Sequence, residues 1–254
     1  MISRYNNTLM EKIVCTLESN RPAAPGVYRM ELSSGQTLAH RCGQFAEVAV
    51  PGKYLRRPLS VSLSEAHRLT LLYKVAGEGT RILSTLQAGS VLDLLTGLGN
   101  GFDTGACRSR ALLIGGGIGA APLLQLCRDL RDAGREVTVL LGFGTAAEIL
   151  LHDELKALGA EVHLATADGS CGIRGLVTDA LRQIRPDFDY YYVCGPMPMM
   201  RALYPLLPEE GEFSLEERMG CGTGLCFGCT VSTTEGPRRI CHDGPVFKKR
   251  QLPW

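Results

Sequence analysis

Glu217-Arg218-Met219-Gly220-Cys221-Gly222-Thr223-Gly224-Leu225-Cys226-Phe227-Gly228-Cys229 carries three cysteines, and a fourth, Cys241, follows after eleven further residues. The spacing C-x4-C-x2-C with a distant fourth cysteine is the thiolate pattern of plant-type [2Fe–2S] sites. Two irons need four thiolates converging on one small volume, so three must come from a tight loop. Gly222, Gly224 and Gly228 suit such a loop, because glycine reaches positive φ and lets amide N–H groups approach the sulfurs. Asp243-Gly244-Pro245 marks a turn just after the fourth ligand. A zinc ion on the same cysteines is the alternative. Zinc ribbons usually pair two short knuckles, and only Cys226 and Cys229 form one here. The expected metal ligands are therefore Cys221, Cys226, Cys229 and Cys241.

Outside this stretch the chain reads as an ordinary globular protein. It has 254 residues, 45% hydrophobic and 21% charged, which allows one large or two modest domains. A net charge of +1 gives no field to recruit nucleic acid or an acidic membrane. No apolar run is long enough to cross a bilayer, and Met1–Glu18 lacks a signal-peptide core. The expected compartment is the cytoplasm. Disulfides are rare there, so clustered cysteines point to metal or redox work. Cys15, Cys42, Cys107, Cys127 and Cys171 are scattered and read as small buried hydrophobes.

Working back from the cysteines, two further zones appear. From about Leu9 to Leu95, short alternating or β-branched runs (Met10–Leu17, Val27–Leu32, Phe45–Val50, Leu59–Leu63, Leu69–Val75, Val91–Leu94) predict a small barrel. A helix over Thr80–Leu86, capped by Thr80, interrupts them. From about Arg110 to Glu217, strand and helix alternate: Ala111–Ile114, Ala120–Ala133, Val137–Leu141, Ala147–Leu158, Val162–Ala165, Val177–Ile184, Tyr190–Cys194 and Met197–Leu207. That rhythm predicts a parallel sheet flanked by helices, joined to the barrel through Asp103–Arg110. The tail, Arg218–Trp254, shows little core-forming pattern and calls for a staple, which a bound metal would supply. The expected fold is thus a β-barrel plus α/β, divided at 1–102, 103–217 and 218–254.

Two nucleotide signals sit in these zones. Gly77-Glu78-Gly79-Thr80 enters a helix, whose N-terminus offers free N–H groups to a pyrophosphate. Arg57, in Arg56-Arg57-Pro58-Leu59-Ser60, could add a bidentate phosphate contact. A solvated strand-end arginine and an ordinary turn are the plain alternatives. Gly115-x-Gly117-x-x-Ala120 follows a strand and opens a helix, as the dinucleotide fingerprint requires. No acidic residue ends the next strand, so the usual ribose carboxylate is missing. Cys194-Gly195-Pro196 ends a strand at the sheet's carboxyl edge, where ligands of open α/β sheets bind; a plain buried cysteine is the other reading. Asp93, Glu216 and Glu217 read as strand-end charges, and the five histidines show no ligand spacing.

In their order along the chain, Arg57-Pro58-Leu59-Ser60, Gly79-Thr80, Gly115–Gly119 and Cys194-Gly195-Pro196 resemble the ferredoxin–NADP reductase superfamily. With the cysteine tail, closed by Cys241-His242-Asp243-Gly244-Pro245-Val246-Phe247, the chain looks like the electron-transfer subunits of class B dihydroorotate dehydrogenases over nearly its whole length. The resemblance implies a FAD-binding Greek-key barrel, a nicotinamide-binding domain and a [2Fe–2S] segment. It places Arg57, Pro58, Leu59 and Ser60 along the flavin and its phosphate. It also places Leu72, Tyr73 and Lys74 beside the FAD, and Gly79 and Thr80 at the pyrophosphate. Gly115 and Gly117 would meet NAD, with Cys194 near the nicotinamide. The implied partner is a catalytic FMN-containing dihydroorotate dehydrogenase subunit in a heterotetramer of two plus two, with electrons passing from FMN through cluster and FAD to NAD+ in pyrimidine biosynthesis. No nucleic acid or membrane partner is expected. A subunit of another NAD(P)H-linked reductase complex, or a zinc-stabilised non-enzymatic interaction subunit, are the competing readings.

Overall fold

Alternation of buried and exposed residues along Ile13, Cys15 and Leu17 builds the first strand, β1 (Glu11–Ala24). The computed structural model describes residues 10–38 and 40–254, so the first half of the Met1–Glu18 stretch, residues 1–9, lies outside the described residues. β2 (Val27–Ser34), β3 (Phe45–Val48), β4 (Arg57–Glu65), β5 (Arg68–Lys74) and β6 (Val91–Leu98) follow, with α1 (Glu78–Ser84) before the last. They close an antiparallel barrel in the order β1-β2-β5-β4-β3-β6. The inward faces bury Leu17, Met30, Val48, Val61, Leu71 and Leu94. The outward faces of β3 and β4 carry Phe45, Glu47, Pro58 and Ser60, and Phe45 pairs with Ser60 and Glu47 with Pro58.

The second unit is a sheet of β7 (Arg110–Gly116), β8 (Glu136–Phe143), β9 (Glu161–Thr166), β10 (Ile173–Arg174), β11 (Tyr190–Cys194) and β12 (Gly211–Ser214), all parallel. Its helices are α2 (Leu123–Asp132), α3 (His152–Ala157), α4 (Val177–Ile184) and α5 (Met197–Leu203). In the order β10-β9-β8-β7-β11-β12 the chain runs one way from β7 and then returns to its other side at β11. That reversal opens a crevice at the carboxyl ends of β7 and β11, where ligands of such sheets bind.

The tail departs from the expectation of a core-poor segment. β13 (Thr230–Thr233) and β14 (Gly236–Arg239) form a hairpin, and α6 (Ile240–Asp243) leads into β15 (Val246–Lys248). β15 pairs antiparallel with β12, so the tail completes the nucleotide-domain sheet as its seventh strand. Cys229, Ile240, Cys241, Phe247 and Leu252 are buried in the same core as Tyr191 and Phe213. The side chain of Asn100, in the inter-domain connection, donates to the Val246 carbonyl (2.7 Å) and accepts from the Val246 N–H (3.1 Å). Barrel, sheet and tail therefore meet at one junction.

Three helix starts differ from the sequence expectation; α3 begins at His152 rather than Ala147, because Ala146–Glu148 forms a separate 3-10 turn. Gly77, not Thr80, is the N-cap of α1; Thr80 lies inside the first turn, and its hydroxyl accepts from Ala76 N–H (3.0 Å) and Gly77 N–H (3.2 Å). α2 begins at Leu123 behind a short 3-10 turn, Gly117–Ala120, because Pro122 has no N–H and is tolerated only at a helix start.

Candidate functional site

The cysteine loop is organised by backbone N–H groups that point at sulfur. Gly224 N–H donates to Cys241 Sγ at 3.2 Å. Thr223 and Cys226 N–H donate to Cys221 Sγ, Gly228 N–H to Cys226 Sγ and Cys241 N–H to Cys229 Sγ, each at 3.4 Å. Gly222, Gly224 and Phe227 hold positive φ (68°, 87° and 59°), the left-handed turns that aim these amides. Cys226 N–H on Cys221 and Cys241 N–H on Cys229 bring the cysteines together two and two, and Gly224 N–H ties the first loop to Cys241. Burial pushes the Cys221 thiol up, but donation from Thr223 and Cys226 outweighs it and brings it to about 6. Burial and the neighbouring Cys229 push Cys241 up to about 12.

Two thiol pairs with amides on their sulfurs suit two irons, each taking two thiolates. Cys229 and Cys241 are buried, whereas Cys226 is exposed, flanked by Leu225 and Phe227, which are 82% and 64% exposed.

The flavin signals converge on the barrel. Arg56 donates to the Asp93 carbonyl (2.8 Å) and pairs with its carboxylate (2.9 Å), so it is committed to structure. Arg57 donates through Nη1 to the carbonyls of Leu55 (2.7 Å) and Arg56 (3.1 Å). Its Nε and Nη2 lie against the Cα of Gly79, where a Cβ would come within 2.6 Å of the guanidinium carbon. Arginine and helix start thus form one cradle with the fork-and-amide chemistry of a phosphate site. Pro58 and Ser60 lie half-buried beside it, and Leu59 points into the barrel. Tyr73 also turns inward, donating to Asn20 Oδ1 at 3.0 Å and stacking on Tyr28. Only its backbone is free to meet a ligand. Leu72 packs toward the nucleotide domain and Lys74 is exposed.

At the crevice, Cys194 is the register partner of Gly115. A Cβ on Gly119 would lie 2.6 Å from the Gly195 N, so the glycine turn and the Cys194-Gly195-Pro196 turn touch directly. A Cβ on Gly115 would crowd Leu123 (2.8 Å) and Leu141 (2.9 Å), which explains a glycine there as close strand–helix packing. Gly117, at φ 53°, faces open space. Cys194 is half-buried, and burial pushes its thiol up to about 12.

Two residues escaped the sequence reading. Glu47 is 1% exposed, neither of its carboxylate oxygens has a hydrogen-bond partner, and it packs on the Cα of Gly222 in the cysteine loop. Burial pushes its carboxyl up to about 7, with Arg56 pulling down and Cys221 adding to the rise. A charged residue inside Phe45-Ala46-Glu47-Val48 was the available signal. Arg239, just ahead of Cys241, reaches across the loop and had no signal beyond its position.

Residues 216–253 match the family model of the iron-sulfur cluster binding domain of dihydroorotate dehydrogenase B, and residues 113–204 that of the oxidoreductase NAD-binding domain. The dihydroorotate dehydrogenase B (NAD(+)) electron transfer subunit of Geobacillus sp. (strain WCH70) is 40% identical over 256 residues, covering 96% of this chain and 99% of its own. The corresponding subunit of Fusobacterium nucleatum subsp. nucleatum is 36% identical over 247 residues, covering 92% and 95%. Among solved structures, the NADH-dependent reduced ferredoxin-NADP oxidoreductase of flavin-based electron bifurcation superposes with a TM-score of 0.85 at 29% identity, over 94% of this chain and 90% of that one. Sequence kinship along nearly the full length, a reductase-type barrel and sheet, and a paired-thiol loop agree: the chain belongs to the family of dihydroorotate dehydrogenase B electron transfer subunits.

Proposed function

We propose that this chain carries electrons from dihydroorotate oxidation, performed in a catalytic partner subunit, to NAD+, and that it does so in the cytoplasm as one half of a two-plus-two complex. The observation that carries the reading is the cysteine loop, its amides turned onto sulfur, seated through Gly222 on Glu47 of the barrel face that presents Pro58 and Ser60. Bound flavin supplies the conversion between hydride chemistry and single electrons, and a [2Fe–2S] cluster carries electrons singly. The protein's share is placement. Cys221, Cys226, Cys229 and Cys241 hold the cluster, and five amides donate to their sulfurs. Arg57 with the backbone of Gly79 and Thr80 takes the flavin pyrophosphate. Pro58, Leu59 and Ser60 with the backbone of Leu72–Lys74 line the flavin. The turn at Gly115 and Gly117 takes the NAD phosphates, and Cys194 borders the nicotinamide.

The division at 1–102, 103–217 and 218–254 follows these tasks, although β15 of the last part is built into the sheet of the second. The six cysteines outside the cluster loop are free thiols, which suits a reducing compartment, and no helix among the described residues is long and apolar enough to cross a membrane. Exposed Cys226 between Leu225 and Phe227 supports docking of the catalytic subunit there, since a cluster held by that thiolate would have a ligand at the surface.

The test is reconstitution with the catalytic subunit. NAD+ reduction should depend on dihydroorotate and on both proteins. If the catalytic subunit alone reduces NAD+ as fast as the mixture, the reading is wrong.

A further inference from the structure

Each stretch of chain beside the cysteine ligands is touched by one side chain, Arg239, at the end of β14. Its Nη1 donates to the Gly224 carbonyl at 2.8 Å, between Cys221 and Cys226. Its guanidinium lies over the Phe227 ring, 5.0 Å from the centroid, between Cys226 and Cys229. Nε pairs with Asp243 Oδ2 (3.3 Å) and Nη2 meets His242 Nδ1 (3.1 Å), just past Cys241. The Arg239 backbone N–H also donates to Asp243 Oδ2 at 2.8 Å, so the side chain is anchored at its root. The guanidinium is only about a quarter exposed, and a planar fork can satisfy these partners together where an ammonium cannot.

We propose that Arg239 is a positioning residue for the iron–sulfur cluster. It holds Gly224 through the carbonyl, and Gly224 N–H makes the shortest of the amide contacts to sulfur, 3.2 Å to Cys241. By fixing that residue it fixes the donor. By stacking on Phe227 it holds a non-glycine residue at φ 59°, a conformation that side-chain-bearing residues disfavour. A hydrogen bond to a cluster sulfur favours the reduced, more negative state and so raises the midpoint potential. The inference rests on the ligand assignment above.

The experiment uses full-length protein carrying FAD and cluster, as Arg239→Lys, Arg239→Met and Asp243→Asn variants. EPR-monitored redox titration and the rate of bleaching by an iron chelator are measured at matched cluster content. Arg239→Lys keeps the charge but loses the fork, so the midpoint potential should fall and bleaching should quicken by about fivefold or more. Arg239→Met should go further in the same direction, and Asp243→Asn should shift it less. FAD content should stay at the parent level. If Arg239→Met does not accumulate, the other two decide; a variant that keeps FAD but never holds a cluster also supports the proposal. Unchanged potential and bleaching in Arg239→Lys and Asp243→Asn overturn it. A parent protein without acid-labile sulfide would instead sink the ligand assignment itself.

Discussion

The guanidinium of Arg57 lies on the Cα of Gly79, and only the missing Cβ makes room for it. The strand start and the helix start therefore form one cradle, which we propose takes a phosphate. A methyl at position 79 would displace the end of a flexible side chain rather than backbone. Gly79→Ala should thus fold normally yet lose FAD affinity about 10- to 100-fold, the loss of one charge-assisted phosphate contact. Arg57→Ala should lose a similar amount, and the double variant little more than either. Flavin fluorescence titration of the stripped proteins checks this; additive losses would show two independent contacts.

The four cysteines should differ in what else they do. Cys226→Ser and Cys229→Ser should each abolish the cluster, read as acid-labile sulfide. Cys226 is exposed, so its loss should leave the apoprotein's urea midpoint unchanged. Cys229 is buried with Ile240 and Phe247, and a hydroxyl there should cost about 1–3 kcal/mol.

Leu225 and Phe227 flank exposed Cys226, and two large exposed apolar side chains together fit the docking face proposed above. Leu225→Ser should leave the visible spectrum intact and weaken association with the catalytic subunit about tenfold or more, by calorimetry. Unchanged affinity would move the docking face elsewhere.

Glu47 makes stability depend on pH in an unusual direction. Its folded carboxyl sits at about 7 against an ordinary 4.5, because burial disfavours its charge. Below 4.5 both states are protonated and there is no penalty. As pH rises from 4.5 through 7 the unfolded chain ionises first, and stability falls. Glu47→Gln removes this. It should be more stable than the parent at pH 8, by on the order of 2 kcal/mol, with the difference vanishing near pH 4.5. Glu212, also pushed up to about 7 by burial, is common to both proteins and cancels. Urea unfolding at the two pH values measures it; an equal difference at both would remove the carboxyl as its cause.

How far the sequence reached depended on the kind of signal. Cysteine spacing and the glycine turn are local signals, legible without any knowledge of distant pairing. Strand β1 was read as ending near Leu17, because the polar run Glu18–Arg21 hides the pairing that β2 imposes up to Ala24. Gly211–Ser214 is too short, and too polar at Glu212, to read as a strand; it exists because β11 and β15 pair with it on either side. The buried tail was missed for the same reason. Val246 and Phe247 are two apolar residues in a polar stretch, and their burial is decided by β12 and Asn100, far away in the chain. Thr80 has the composition of a cap, but the turn before it lets Gly77 take that place.

In the proposed function, these four thiolates hold a two-iron cluster in a chain that also binds flavin. Counting iron, acid-labile sulfide, zinc and flavin in anaerobically purified protein tests it most directly. The account predicts about two irons, about two sulfides and about one FAD per chain, with an EPR signal appearing on reduction. Zinc at one per chain with no sulfide, retained after reconstitution with iron and sulfide, would contradict it.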